Sequence, residues 1–360
     1  MDKKQNSNRM ERPLRLGVAG AGMIVTEFLP KLTAMDGLEV SAIFSRTLQK
    51  AQQLAQAHEI SRVCLTYGEL LTCGIDAVYI ALPNHLHASF AAKALMNGVN
   101  VIVEKPVASN LREAETLARL AEEHDCFLFE AVSTPYIDSF RILSQWLPEI
   151  GGLRLAECRY TQYSRRYDRF CAGELSAVFD PACSGGALMD LGVYNLSLLT
   201  GLLGEPEGSQ YHATIERGID TGGVLTLQYP GFQAISIAAK DCACTPVTLF
   251  LGTKGSITAE GHPGRISRVT LTRSEGTEEA FEDSSFTADG LPHFAAFLRA
   301  WQKCDRAFFD RALRASLTVC RIMTHARKEA GVCFPADSED TAFNAIDVNS
   351  IYDLWGKPFS

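Results

Sequence analysis

The sequence predicts an α/β protein of two domains: an N-terminal parallel sheet wound with helices, then an α+β domain built on a large, mostly antiparallel sheet. Three observations carry this. At roughly 150 residues per domain, a chain of 360 residues suggests two. From Leu14 to Ala131 short β-branched runs alternate with helical patterns, the rhythm of βαβ units. Beyond the break at Pro148 to Gly152, that alternation gives way to a succession of strands.

The first strands are expected at Leu14 to Ala19, Glu39 to Phe44, Ala77 to Ala81, Asn100 to Val103 and Phe127 to Ala131, with a short one near Val63. Each is nearly all apolar because strands in such sheets are buried on both faces. Among the intervening helices Leu111 to His124 is the plainest, with Leu111, Ala114, Leu117, Ala118 and Ala121 on one face and Asn110 and Glu113 spaced as a capping box. A helix around Tyr136 to Leu147 closes this part. The second sheet is expected from Leu153 to Tyr160, Gly223 to Tyr229, Phe232 to Ala239, Val247 to Gly252, Ser256 to Glu260 and Ile266 to Thr272, with turns at Pro230-Gly231 and Lys254-Gly255. Helices at Ala187 to Leu199, Pro292 to Lys303 and Arg311 to Glu329 should cover one face of it, leaving the other for a partner subunit. The domain plan is therefore a polar, disordered tail at 1–12, a first domain at 13–135, a second at 136–337 for substrate binding and oligomerisation, and a C-terminal tail at 338–360.

Apolar residues at 46% and charged residues at 21% exclude a disordered or fibrous chain. The net charge of −8 repels phosphate backbones and anionic lipid, so neither nucleic acid nor a membrane is an expected partner. Eleven scattered cysteines, an odd number, read as reduced thiols in a cytoplasmic protein. Cys242 and Cys244 lack metal-ligand spacing, and no structural metal is expected. The first twelve residues lack the apolar stretch of a signal peptide, and no later run approaches the roughly 20 apolar residues of a membrane span.

The first strand runs directly into Gly20-Ala21-Gly22-Met23-Ile24-Val25 and a helix, the context a Rossmann dinucleotide fingerprint requires. Gly20 permits the tight turn, Gly22 lets the backbone approach a pyrophosphate, and Met23 and Ile24 open the helix whose free N–H groups receive it. Val25 departs from the small third residue. After the second strand stands Ser45-Arg46 rather than the acidic residue that NAD sites place on the ribose. A hydroxyl and a guanidinium suit a 2′-phosphate, so NADP is expected, with NAD possible.

In an open parallel sheet ligands collect at the carboxyl ends of strands. Leu82-Pro83-Asn84-His85-Leu86-His87, Glu104-Lys105-Pro106 and Glu130-Ala131 follow three of them. The bond before Pro106 can adopt cis, which would aim Lys105, a proton donor, into the cleft. Further on, Asp190 and Tyr194 lie four apart in a helical stretch and share one face, behind Gly185-Gly186.

The glycine turn, Pro83-Asn84-x-x-His87, Glu104-Lys105-Pro106 and the run Gly185 to Tyr194, in this order and spacing, resemble the glucose-fructose oxidoreductase, inositol dehydrogenase and rhizopine-catabolism (Gfo/Idh/MocA) family across about Arg15 to Pro335. The resemblance implies an NAD(P)-dependent enzyme acting on a sugar, polyol or trans-dihydrodiol, with Lys105 catalytic, Asp190 and Tyr194 at the substrate, Leu82, Pro83, Asn84, Glu104 and Lys105 at the cofactor, His87 there by family position, and a homodimer or homotetramer formed through the second sheet. Tyrosine at 194, where many members carry histidine, is similar to the glucose-fructose oxidoreductase and dihydrodiol dehydrogenase branches. Lys105 and Tyr194 can each hand a proton to the substrate oxygen, and the sequence leaves the formal acid open. In oxidation, whichever of the two takes the proton back needs a pKa brought toward neutrality by burial and the oxidised ring. The loop Tyr160 to Phe179, with Tyr163, Arg165, Arg166, Tyr167, Asp168 and Arg169, is a candidate substrate reader. A non-catalytic nucleotide sensor or regulator on the same fold is the alternative.

Overall fold

The computed structural model describes residues 12–284 and 290–338. Six strands form the first sheet: β1 (Leu14–Ala19), β2 (Leu38–Phe44), β3 (Arg62–Cys64), β4 (Ala77–Ile80), β5 (Asn100–Glu104) and β6 (Leu128–Ala131). All pairs are parallel and the order is β3-β2-β1-β4-β5-β6, so the chain reverses its direction of travel between β1 and β4. The connecting helices are α1 (Met23–Thr33), α2 (Leu48–Ala57), α3 (Tyr67–Thr72), α4 (Asn84–Met96) and α5 (Leu111–Glu123). At the start of α5 the Asn110 side chain accepts from Glu113 N, and the Glu113 carboxylate reaches back to Ser109 N, one residue earlier than a strict capping box.

After α6 (Asp138–Trp146) the second lobe comprises β7 (Leu153–Thr161), α7 (Tyr167–Cys171), α8 (Val193–Leu203), β8 (Gly208–Glu216), β9 (Ile219–Tyr229), β10 (Phe232–Ala239), β11 (Val247–Gly252), β12 (Gly255–His262), β13 (Arg265–Arg273) and β14 (Glu278–Glu282), followed by α9 (Pro292–Gln302) and α10 (Arg306–Glu329). The eight strands run β14-β13-β12-β11-β7-β10-β9-β8, antiparallel apart from the β7/β10 pair. The two edge strands were not expected from the sequence. β8 alternates weakly, and β14 is acidic, the kind of charged rim that discourages further strand addition. Strand β9 also begins four residues earlier than expected, because Gly222-Gly223 lies inside it and not at a turn. A Cβ on Gly223 would meet the Tyr211 ring at about 2.5 Å, so the glycine makes room for that ring.

One helix assignment needs correction. The expectation that Pro292 to Lys303 covers the second sheet fails: on α9, Phe294, Phe297 and Trp301 are fully buried with Leu14, Leu16, Val18 and Phe129 of the first sheet. An apolar stripe dictates burial but not the sheet that receives it. Helix α10 then serves both lobes, with Phe309 in that same cluster and Val319, Met323 and Ala326 in the core of the second. It starts five residues before the expected Arg311, where Asp305 accepts from Phe308 N.

All eleven cysteines lie among the described residues, and no disulfide forms there. The helical run 181–203 is long and apolar enough by composition to cross a membrane, contrary to the sequence reading, yet most of it is buried inside the protein. The expected tails at 1–12 and 338–360 lie outside the described residues except at their inner ends. Arg12 makes two hydrogen bonds to Asp76, of 2.6 and 2.7 Å, and Ser338 O accepts from Arg112.

Near that C-terminal end the segment Phe334 to Asp337 is fastened to the junction of the lobes. Fully buried Arg327 donates to both Asp337 carboxylate oxygens, at 2.6 and 2.8 Å, and to Ser109 O, while Asn110 holds Ala336 O. Removing one partner of a buried pair strands the other charge. Asp337→Ala is therefore expected to lower stability by about 3 kcal/mol in urea unfolding, and a loss under about 1 kcal/mol contradicts this account.

Candidate active site

The strand order places the ends of β1, β4 and β5 side by side at the switch point of the first sheet, where an open α/β sheet leaves a crevice. Gly20 leaves β1 with φ of 132°, and a Cβ there would collide with Ala81 O, so only glycine fits. At Gly22, by contrast, an added Cβ would meet nothing within 4 Å: the backbone faces open space. The first helical hydrogen bond of α1 runs from Thr26 N to Gly22 O, which leaves the amides of Met23, Ile24 and Val25 without helical acceptors. Two glycines, a space beside the second and a helix start aimed at it fit a dinucleotide pyrophosphate. Val25, the departure from the fingerprint, is buried in the core beneath α1.

Ser45 and Arg46 stand at the tip of β2, with Ser45 Oγ accepting from Thr47 N and Arg46 exposed. A groove between α1 and α2 brings Lys50 and Gln53 alongside Gly22 and Met23. Lys50 went unnoticed in the sequence; its place four residues after Arg46, in the first turn of the following helix, was the available signal.

At the β4 tip, Leu82 is half-buried, Pro83 exposed, and Asn84 donates to Ser184 O across the lobes at 2.9 Å. His87 corrects its expected role. It is fully buried and bridges two strand tips, with Nδ1 at 2.8 Å from Pro106 O and Nε2 at 2.8 Å from Leu82 O, so no ring nitrogen remains for a cofactor. Burial pulls its pKa down to about 4. Glu104 is likewise buried and accepts from Tyr79 Oη at 2.6 Å, supporting the cleft from beneath.

The Lys105-Pro106 bond is cis. From it the Lys105 side chain crosses to the second lobe, where Nζ donates to Asp190 Oδ1 at 2.8 Å and to Asp190 O at 2.9 Å, 4.8 Å from the centre of the Tyr194 ring. The three residues singled out for chemistry thus meet, although Lys105 lies against the face of the ring. Asp190 sits in a π-helical turn, Leu188–Gly192, that leads into α8, where a regular helix was expected. Such insertions recur at functional sites because they re-aim side chains.

Gly186 and Asp220 set this turn in place. Gly186 has φ of 106°, and a Cβ on it would strike Asp220 Oδ1. The buried Asp220 carboxylate accepts from Leu188 N at 2.7 Å and from Tyr211 Oη at 2.8 Å, capping the helix that carries Asp190 and Tyr194.

Sequence reasoning missed Lys240, immediately after β10, which forms an ion pair with Asp190 Oδ2. A lysine that ends a strand of the second sheet carries no local signal of the carboxylate it meets. It also missed the wall formed by Tyr160 and His262, whose rings stack 4.6 Å apart at 9°, with Tyr194 edge-on to both. The electrostatics of the cluster follow from its opposed charges. Burial, the largest single influence, pulls the Lys105 pKa down, but Asp190, Tyr194 and Glu104 together outweigh it and leave the ammonium well above the ordinary lysine value. Burial would raise Asp190, yet Lys105 and Lys240 hold it well below the usual carboxylate range. Tyr194 is pushed up to about 12, chiefly by burial, and His262 is held down to about 4 by burial, Arg265 and Lys105.

In the loop after β7 several side chains are committed internally. Tyr163 bonds Asp168, Tyr167 bonds Glu216 and Arg169 pairs with Glu174, while Arg165 and Arg166 are exposed.

A switch-point glycine turn facing a polar cluster from a second lobe defines a dinucleotide-dependent oxidoreductase. Residues 14–132 match the model of an oxidoreductase family with an NAD-binding Rossmann fold, and residues 148–258 match the GFO/IDH/MocA C-terminal domain. The chain belongs to the Gfo/Idh/MocA oxidoreductase family. It is 29% identical to scyllo-inositol 2-dehydrogenase (NADP(+)) IolU of Bacillus subtilis, over 90% of this chain and 99% of that one. It is 27% identical to trans-1,2-dihydrobenzene-1,2-diol dehydrogenase of Danio rerio, over 91% and 99%. The crystal structure of KijD10, a 3-ketoreductase from Actinomadura kijaniata in complex with NADP and TDP-benzene, superposes with a TM-score of 0.76 at 25% identity, over 90% of this chain and all of that one.

Asp220 supplies a pH test. Burial lifts its pKa to about 6, against about 3.9 in an unfolded chain. Between those values the folded state holds the proton that the unfolded state has lost, so the contribution of Asp220 to stability is largest below pH 4 and declines as pH rises through 6. Asp220→Asn is expected to remove a decline of about 2 to 3 kcal/mol between pH 4 and 7, read from urea unfolding across that range. The same slope in both proteins contradicts the assignment.

Proposed function

We propose that the protein is an NADP-preferring oxidoreductase that transfers hydride between the nicotinamide and a sugar, polyol or trans-dihydrodiol, with Lys105 and Tyr194 handling the proton on the substrate oxygen. One observation carries this reading: the Lys105 ammonium is held by Asp190 of the opposite lobe against Tyr194, next to the switch-point crevice. The relatives support the reaction class, being two dehydrogenases of diol or polyol carbons and a ketoreductase.

Gly20, Gly22 and the amides of Met23 and Ile24 would hold the pyrophosphate. Ser45 and Arg46, joined by Lys50, would hold the 2′-phosphate, where a carboxylate would have repelled it. When bound, the nicotinamide supplies or accepts the hydride. Lys105 polarises the substrate carbonyl and gives its oxygen a proton, and Tyr194, still a phenol at neutral pH, donates a second hydrogen bond. Asp190 orients Lys105 and a neighbouring substrate hydroxyl. Because Asp190 keeps Lys105 charged, the protein is set for reduction, and oxidation requires Lys105 to shed its proton first.

A pure nucleotide sensor would have no use for this proton-transfer set. The reading extends to a cytoplasmic homodimer or homotetramer. Thiols without disulfides suit a reducing compartment, and Ile215, Val224 and Leu251 are exposed on strands of the second sheet.

Lys105→Met is expected to keep NADPH affinity within a few fold and to lower turnover of a polyol or ketose substrate by roughly 100-fold or more, the usual effect of losing a proton-transfer group. Unaltered turnover removes Lys105 from the chemistry. Arg46→Ala is expected to weaken NADPH more than NADH in fluorescence titrations, and equal losses refute the 2′-phosphate assignment.

A further inference from the structure

Lys240 stands where the parallel pair β7/β10 ends, its side chain only 6% exposed and its ammonium on Asp190 Oδ2. Lys105, 15% exposed, takes the other oxygen. One carboxylate between two ammoniums leaves a net positive charge in a mostly buried site, an arrangement that packing alone does not favour. Around Lys105, His87 comes from α4, Glu104 from β5, Glu130 from β6, Tyr160 from β7, Tyr194 from α8 and His262 from β12. Glu104 and Glu130 are engaged by Tyr79 Oη and Val107 N, and burial holds both imidazoles below their ordinary value, so neither pair does for Asp190 what Lys240 does.

We propose that Lys240 is a positioning residue that makes the proton on Lys105 transferable: it shares Asp190, so that when Lys105 becomes neutral the carboxylate is still paired. In a two-membered pair, loss of the Lys105 proton would leave a partly buried, uncompensated carboxylate, which holds the ammonium in its charged form. With Lys240 present the same loss leaves a neutral Lys240–Asp190 pair. The role deepens the proposed function and rests on it, because it concerns the proton that Lys105 is there to move.

The test needs neither substrate nor cofactor. Neutral lysine alone reacts with acetic anhydride, so the initial labelling rate of Lys105 at fixed pH, read by peptide mass spectrometry, reports its neutral fraction. Lys240→Met in the full-length protein is expected to slow Lys105 labelling at pH 9 by about tenfold or more, equivalent to one pKa unit upward. Lys240→Arg is expected to keep the wild-type rate. Lys240→Gln, which keeps a donor for Asp190 without the charge, should behave as Lys240→Met and serves if the methionine variant does not fold. Labelling that is unchanged, or faster because the shorter side chain opens access, overturns the proposal. Lys105→Met with full turnover would instead overturn the catalytic reading and leave the labelling result standing.

Discussion

The ion pair between Lys105 and Asp190 is the contact on which the arrangement depends, because it joins side chains 85 residues apart, one following a strand of the first lobe and one on a helical turn of the second. Burying two charges costs several kcal/mol unless their geometry is good and their remaining hydrogen-bonding groups are used. The surroundings meet both conditions. Lys105 has a second acceptor in Asp190 O, and Asp190 a second cation in Lys240. Beneath the lysine, His87 ties the tips of β4 and β5 together, and the interlobe bonds Asn84 to Ser184 O and Ser184 Oγ to Ser109 Oγ keep the lobes in register. The carboxylate is 28% exposed, so the cluster remains open to a ligand entering from the cleft.

This constraint decides the chemistry more than residue type does. A buried lysine taken by itself tends to lose its proton, and a general base would follow from that. Here the carboxylate at 2.8 Å, with Tyr194 and Glu104, offsets burial and keeps the lysine protonated, which is why the proposed role is that of a general acid. The stacked Tyr160 and His262 rings give the cleft one flat wall beside the polar cluster, the combination expected where a ligand offers both hydroxyl groups and a hydrocarbon face.

Much of the first lobe was legible because its signals are local. The apolar strands, the turn at Gly20 to Gly22 and the cap at Asn110 each depend on neighbours within a few residues. The convergence of Lys105, Asp190 and Tyr194 followed from strand-tip logic and family resemblance. What the sequence withheld was long-range. The apolar stripe of α9 carries no address, so its packing on the first sheet was not readable. Strand β14 hides in an acidic stretch because an edge strand needs no apolar face. Lys240 looks like any lysine ending a strand until the fold sets it on Asp190. The direction of the Lys105 pKa was not readable for the same reason, since burial could be guessed from sequence but the distance to a carboxylate could not.

The most direct measurement is a crystal structure of the protein with NADP and a bound polyol or ketone. The reacting oxygen is expected within hydrogen-bond reach of Lys105 Nζ, roughly 2.6 to 3.2 Å, with the Lys105–Asp190 contact kept. A substrate oxygen bound away from Lys105, or a lysine turned away from Asp190 into solvent, would contradict this expectation.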